Sequence, residues 1–203
     1  KEKSLLSWFA RLEYDYRKKY FISASFRRDG SSTFGAKNRW GTFPSIAAGW
    51  NFSEENFVKD NLGWLSFGKF RASWGRSGMH FEECYLALGT LYSGQPFMGE
   101  STLSWGNGRY NEDLSWEKTD QYDFGLDMDM FDYRLGLTLD YYYRYSSDKL
   151  WPIDLPGDYN GFAMQWRNAA AVSNEGIELL VRYEIFRNED LYWKISVNGA
   201  KNW

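Results

Sequence analysis

The feature that most constrains this chain is a two-residue alternation of aromatic or aliphatic side chains with polar ones, repeated through about eight segments of roughly ten residues. Tyr133 to Tyr145 is the cleanest instance. There Tyr133, Leu135, Leu137, Leu139, Tyr141, Tyr143 and Tyr145 interleave with Arg134, Gly136, Thr138, Asp140, Tyr142 and Arg144. Successive side chains on a strand point to opposite faces, so such a segment is greasy on one face and polar on the other. Strands of a soluble sandwich alternate too, but they are usually about five or six residues long and seldom carry so many flanking Tyr and Trp. Length and flanking aromatics together predict an all-β chain whose antiparallel strands form the wall of a transmembrane β-barrel.

Composition agrees with that expectation and removes others. Aromatic residues make up 20% of the 203, with 11 Trp, yet the mean hydropathy is −0.60. No run of about eighteen apolar residues exists, so helical spans are excluded and a membrane protein of this kind must close its backbone pairing as a barrel. Only alternate barrel residues meet lipid, which reconciles low hydropathy with membrane contact. A net charge of −3 without a basic patch argues against nucleic acid. One cysteine, Cys84, allows no internal disulfide, and with the single His80 it falls short of a zinc site, so no metal or cofactor is expected. Lys1-Glu2-Lys3 leads straight into an alternating segment without the apolar core of a signal peptide, so the chain reads as mature or internal.

Strands are expected near residues 4–15, 20–29, 39–52, 67–76, 119–128, 133–145, 172–186 and 191–203. Short turns at 16–19, 129–132 and 187–190 take turns with longer connections at 30–38, 77–118 and 146–171, the asymmetry of outer-membrane barrels. The medium link 53–66 departs from this, and Ser53-Glu54-Glu55-Asn56 is suited to cap a brief helix. Pairing Asp127 with Arg134 sets Leu126, Phe124 and Tyr122 against Leu135, Leu137 and Leu139. Pairing Glu184 with Lys194 sets Ile185, Tyr183 and Val181 against Trp193, Ile195 and Val197. In the first hairpin Tyr14, Leu12, Ala10 and Trp8 are expected opposite Tyr20, Ile22, Ala24 and Phe26, with Arg11, Glu13, Arg27 and Asp29 inside. Pro44 removes a ladder donor, so a bulge or an early strand start is expected there. Asp29-Gly30-Ser31-Ser32 reads as a turn at a strand exit, with Gly30 free to take positive φ.

The ordered set Arg27-Arg28-Asp29-Gly30-Ser31-Ser32-Thr33-Phe34, Arg39-Trp40-Gly41-Thr42-Phe43-Pro44-Ser45, Gly49-Trp50, Glu55-Asn56-Phe57, Lys69-Phe70-Arg71-Ala72-Ser73-Trp74-Gly75, Leu114-Ser115-Trp116-Glu117, Phe124-Gly125-Leu126-Asp127 and Asn174-Glu175-Gly176-Ile177-Glu178 resembles the barrel of SusC-like TonB-dependent transporters, the RagA/SusC family. Ser77-Gly78-Met79-His80 departs from that pattern, which leaves the segment through Tyr110 without a family counterpart. The resemblance implies that residues 1–203 are about eight strands of a larger, 22-stranded barrel domain, with plug and terminal strands absent. It further implies an outer-membrane location in a Gram-negative, Bacteroidetes-like cell. The implied activity is import of oligosaccharide or oligopeptide with a SusD-like surface lipoprotein, driven by the TonB complex through the absent N-terminal part.

Chemistry points to transport rather than catalysis. His80 has no orienting partner in sequence for a nucleophile triad, and Asp123, Asp127, Asp140 and Glu178 fall at strand spacing among basic residues, as a solvated charge lattice does. Trp105, Tyr110, Trp151, Tyr159 and Trp166, with Asn107, Asp154, Asp158 and Asn160 nearby, lie on the expected extracellular segments. Flat rings beside amides and carboxylates suit a sugar ring or a peptide side chain, so Trp105, Asn107, Tyr110, Trp151, Asp154, Tyr159 and Trp166 are candidate ligand residues. The competing use of these rings is to pack loops or meet the lipoprotein. Rival readings are a complete eight-stranded barrel with a structural or adhesive role, an outer-membrane enzyme near His80, and a soluble carbohydrate-binding β-protein. In the first of these Lys201 would face lipid.

Overall fold

The computed structural model describes residues 2–81, 87, 90–106, 108–156, 164–189 and 191–203. Its strands are β1 (Leu5–Tyr16), β2 (Tyr20–Ser31), β3 (Trp40–Trp50), β4 (Leu65–Met79), β5 (Thr90–Ser93), β6 (Leu103–Gly106), β7 (Glu117–Met130), β8 (Leu135–Asp154), β9 (Met164–Arg187) and β10 (Tyr192–Asn202). Eight of them form one antiparallel sheet in the order β1-β2-β3-β4-β7-β8-β9-β10, while β5 and β6 pair separately. The sheet is open: β1 and β10 lie at its two edges, so these eight strands do not close on themselves. The reading as a complete eight-stranded barrel is thereby corrected.

The alternation reappears as two chemically distinct faces. Tyr16↔Tyr20↔Trp50, Leu12↔Ala24↔Ile46, Trp50↔Phe70↔Leu126↔Leu139↔Leu179 and Phe124↔Tyr141↔Ile177 run across the strands as continuous apolar rows. These side chains are open to the surroundings, with Leu12 71% and Trp8 64% exposed. Apolar exposure on this scale is what a sheet facing hydrocarbon presents. The buried apolar set is correspondingly small: Phe34, Phe43, Val58, Ala87, Leu114 and Trp116 among the described residues.

Registers differ from expectation by even steps. Leu126 meets Leu139, Phe124 meets Tyr141 and Tyr122 meets Tyr143, four residues away from the expected pairing, because the turn spans Phe131 to Arg134. In the first hairpin Tyr14 meets Ile22 and Leu12 meets Ala24, a shift of two set by the turn at Arg17 to Lys19. An even slip keeps every side chain on its face, so the two-faced sheet survives. Lys194↔Glu184, Ile195↔Tyr183 and Val197↔Val181 pair as expected, but a bulge sets Trp193 against Phe186 rather than Ile185. Their rings stack at 6.1 Å. Lys201 pairs with Ile177 on the apolar face, as its position implied, and lays its ammonium 5.7 Å from the Trp203 ring.

Two local expectations are also corrected. Pro44 causes no bulge: its pairing with Phe26 is regular, and the ladder to β4 begins only at Ser45↔Gly75, so no β4 bond requires the N–H that proline lacks. Gly30 is not a positive-φ turn residue but part of β2, which runs through Ser31. It is small because the Trp40 ring lies across it; a Cβ there would stand 2.9 Å from Trp40 ring carbons.

The largest departure is in the connections. The expected loop at 146–171 is mostly sheet, because β8 and β9 continue past the bulges around Ser146, Lys149 and Leu150 to pair Trp151↔Arg167 and Asp154↔Met164. The expected loop at 77–118 likewise contains the β5–β6 hairpin.

At the short-turn end, the link after β3 holds a 3-10 turn (Phe52–Glu54) and one α-helix, α1 (Asn56–Asn61). The brief helix is present, but the residue at its N-terminal cap, Glu55, makes no side-chain cap bond. Its carboxylate instead accepts from Tyr20 Oη at 2.6 Å, Lys19 Nζ at 3.0 Å and Trp50 Nε1 at 3.4 Å, tying the first hairpin turn to the β3–β4 link. Asn51 adds to the tie, donating its backbone N–H to Lys19 O at 2.8 Å and its Nδ2 to Lys18 O at 2.7 Å. The Tyr20 and Lys19 hydrogen bonds stabilise the charged form of Glu55 and hold its pKa at about 2.

A carboxylate with a depressed folded-state pKa stabilises the fold fully above its unfolded value, about 4.3, and loses that contribution as pH falls through its folded value. Thermal unfolding in detergent is therefore expected to shift downward between pH 5 and 2. Glu55→Gln is expected to lower the midpoint at pH 7 and to flatten part of that acid limb. An acid limb unchanged by the substitution would count against the Glu55 tie.

Candidate functional site

The polar face is built by the residues that alternate with the apolar rows, and arginine organises its centre. Arg71 on β4 forks onto Asp127 of β7 through Nε at 2.7 Å and Nη2 at 3.2 Å, and the same Nη2 reaches Asp140 of β8 at 3.0 Å. Gly125, between them, is small because a Cβ would stand 2.7 Å from the Arg71 guanidinium. One planar side chain thus spans three strands, which a lysine ammonium could not do with the same geometry. Arg182 binds Asp129 at 3.3 Å, Ser73 binds Asp123 at 3.1 Å, and Gln121 links Asp123 at 2.8 Å to Arg144 at 3.1 Å.

This lattice borders two concave grooves. One, about 610 Å³, is lined in part by Glu13, Asp15, Ser23, Lys69, Arg71 and Asp123. The other, also about 610 Å³, is lined in part by Gln121, Asp123, Asp140, Tyr142, Arg144 and Glu178. Asp127, Asp140 and Asp129, paired to arginines at 2.7 to 3.3 Å, keep oxygen lone pairs that a polar solute can use as acceptors. Among the described residues no group of three His, Cys, Asp or Glu is placed to hold a metal ion.

Toward the long-loop end the face is roofed by aromatics. Trp116 lies 5.1 Å from Phe34 and 5.3 Å from Phe43, Phe81 stands edge-on to Phe34 at 4.7 Å, and His80 lies 5.8 Å from Trp116. Trp116 Nε1 donates to Arg39 O at 3.3 Å. Gly41 and Gly78 make this packing possible, since a Cβ at either would intrude on the Phe43 ring. His80 therefore packs in an aromatic cluster, and Gly78, in the segment that departs from the family pattern, has a steric role.

The candidate ligand residues distribute unevenly. Trp105 lies on β6, its backbone opposite Leu91. Asn107 and Tyr159 lie outside the described residues. Tyr110 is exposed, and its carbonyl accepts from Gln165 Nε2 at 3.0 Å. Trp151 and Asp154 are on β8, and Trp166 is on β9. Because Trp151 pairs with Arg167 and Trp166 with Pro152, their side chains occupy opposite faces of the β8–β9 extension and cannot stack on one ligand ring together. Trp151 is 62% exposed, whereas Trp166 is half-buried and its carbonyl accepts from Asn111 Nδ2 at 2.9 Å. Sequence reasoning missed the Gln165–Tyr110 and Asn168–Ser115 bonds that fasten the segment before β7 to this extension. Their signal was no more than the polar cluster Gln165, Arg167 and Asn168, which is too short to separate from a loop.

Residues 2–201 match the family described as TonB dependent receptor-like, beta-barrel. The chain is 39% identical over 204 residues to the TonB-dependent receptor P39 of Formosa agariphila, covering 98% of this chain and 19% of that protein. It is 36% identical over 206 residues to the TonB-dependent receptor SusC of Bacteroides thetaiotaomicron, covering 98% of this chain and 20% of that one. Its fold superposes with a TM-score of 0.88 on a chain of the RagAB peptide importer in the open-open state, at 30% identity, covering 98% of this chain and 22% of that one. The chain thus spans about a fifth of the length of these relatives. They are receptors and an importer rather than enzymes.

Arg71→Ala strands Asp127 and Asp140 without their shared cation. It is expected to lower unfolding stability in detergent by roughly 1 kcal/mol, the pairs being partly exposed, with Arg71→Lys recovering only part of the loss. Equal stability of all three proteins in a denaturant titration would show that the fork carries no net stability.

Proposed function

The chain belongs to the TonB-dependent receptor-like β-barrel family, and from that premise we propose that it forms part of the wall of an outer-membrane importer of nutrient oligomers. The supporting observation is the pair of faces: a predominantly apolar face on one side of eight paired strands and an ion-paired, grooved lattice on the other. Such a sheet separates hydrocarbon from an aqueous passage. Eight strands supply only an arc, so this reading places residues 1–203 within a larger barrel domain. It assigns the remaining wall, the plug and the TonB-contacting segment to the rest of the importer. The location is the outer membrane of a Gram-negative, Bacteroidetes-like cell.

The cargo is an oligopeptide or an oligosaccharide, captured together with a SusD-like surface lipoprotein. Kinship with a protein named as a peptide importer and with SusC supports this cargo range and the paired lipoprotein. The groove of about 610 Å³ lined by Gln121, Asp123, Asp140, Arg144 and Glu178 is rich in donors and acceptors and suits a hydrated oligomer better than an apolar ligand. At the long-loop end Trp151 stands about 50 Å along β8 from Leu135, well past a hydrocarbon band about 25 Å tall. Its exposed ring is therefore placed for cargo or lipoprotein. Trp105, Asn107, Tyr110, Asp154, Tyr159 and Trp166 remain the other proposed contacts, with Trp166 on the opposite face from Trp151.

The test is uptake of labelled peptides and oligosaccharides by cells with and without the intact protein, combined with co-purification of the lipoprotein. Loss of uptake of one cargo class on deletion, with detergent needed to extract the protein, is the expected result; unchanged uptake of both classes would end the import reading. Within the purified importer, Trp151→Ala is expected to weaken cargo or lipoprotein affinity roughly tenfold, and Trp166→Ala less. Undiminished affinity for both partners in Trp151→Ala would remove that ring from the proposed site.

A further inference from the structure

The apolar face of the first three strands is interrupted by one charge. Its residues are Leu6, Trp8, Ala10, Leu12, Tyr14 and Tyr16 on β1, Tyr20, Ile22, Ala24, Phe26, Arg28 and Gly30 on β2, and Trp40, Thr42, Pro44, Ile46, Ala48 and Trp50 on β3. Arg28 is exposed and makes no ion pair among the described residues. Its cross-strand neighbours are Trp8 and Thr42, and its guanidinium carbon lies 5.4 Å from the centre of the Trp40 ring. Gly30 lets that ring lie across β2. The same face carries a second arginine at the long-loop end, Arg76 on β4, but that one is neutralised bidentately by Asp120 at 2.9 Å through each of two nitrogens.

Height decides what surrounds Arg28. From Tyr20 the strand climbs about 26 Å to Arg28, or about 20 Å along the membrane normal at a tilt near 40°. With Tyr20 in the lower aromatic girdle and an apolar band about 25 Å tall, Arg28 lies about 5 Å below the outer edge of that band, within side-chain reach of the headgroups and well away from the midplane. A cation there is tolerated, and its planar fork matches a phosphate. The flanking indoles supply a surface for acyl chains, and that of Trp40 holds the guanidinium by cation–π attraction.

We propose that Arg28, seated on Trp40 and beside Trp8, is a binding site for the phosphate of an outer-leaflet lipid. The proposal rests on the membrane placement given above and goes beyond the import reading, since the site lies on the face away from the passage. Phosphate is the group that matches an unpaired guanidinium within reach of the headgroups, and no carboxylate on these three strands' apolar face competes for it.

The test uses the intact protein in zwitterionic detergent doped with dioleoyl phosphatidic acid or with dioleoylglycerol, which share acyl chains and differ in the phosphate. Retained lipid is counted by native mass spectrometry. The wild-type protein is expected to retain the phosphorylated lipid roughly tenfold better, and Arg28→Gln to abolish the preference. Arg28→Lys is expected to keep part of it, and Gly30→Ala to weaken it by displacing Trp40 while leaving the charge. Equal retention of the two lipids by the wild-type protein overturns the proposal even if Arg28→Gln fails to fold. So does an undiminished preference in Arg28→Gln. Uptake measured in parallel separates the two readings: normal import without lipid preference refutes the lipid site alone, and lost import with preference intact refutes the import reading alone.

Discussion

The structure depends on the period-two geometry of a paired strand. Each antiparallel ladder fixes which side chains share a face, and eight ladders in sequence extend that choice across the whole sheet. Among the described residues no ordinary hydrophobic core enforces the choice, since the apolar rows are exposed or half-buried and the buried set is a handful of residues toward the two ends. The solvent does the enforcing. A slip of one residue would move Arg71, Asp127 and Asp140 into hydrocarbon and Leu126, Leu139 and Phe70 into the passage, which makes odd registers far costlier than even ones.

The two ends of the sheet are organised by different means. At the short-turn end, one carboxylate, Glu55, gathers a tyrosine, a lysine and a tryptophan from three elements. At the long-loop end, packing of Phe34, Phe43, Phe81 and Trp116 does the corresponding work, with Gly41 and Gly78 cleared to admit it. Between them the charge lattice leaves the polar face ion-paired and hydrogen-bonded rather than filled by packed apolar side chains.

How much of this was legible in sequence follows from the same geometry. Face assignment was legible because alternation states it directly: Leu135 to Tyr145 divide between the faces as expected, and Val181 and Tyr183 meet Val197 and Ile195 as expected, while Tyr133 and Arg134 fall in the turn. Register was legible only modulo two, because alternation cannot count the residues in a turn; Leu126 met Leu139 rather than Leu135. Gly30 and Pro44 were misread for a related cause, since the ring of Trp40 and the point where β4 joins β3 are facts about neighbouring strands. Of the candidate site, the separation of Trp151 from Trp166 was not legible, because it depended on a register beyond two shifts in the ladder.

The extension of β8 and β9, strands of 20 and 24 residues, changes how the mouth of such a wall can be used. A floppy crest would have to surrender its conformational freedom each time something docked on it, at about 1–2 kcal/mol per residue fixed. A laddered hairpin has already lost that freedom during folding. Whatever settles on this ledge meets a stiff buttress, so contacts formed there go into affinity and orientation with little diverted into freezing the backbone.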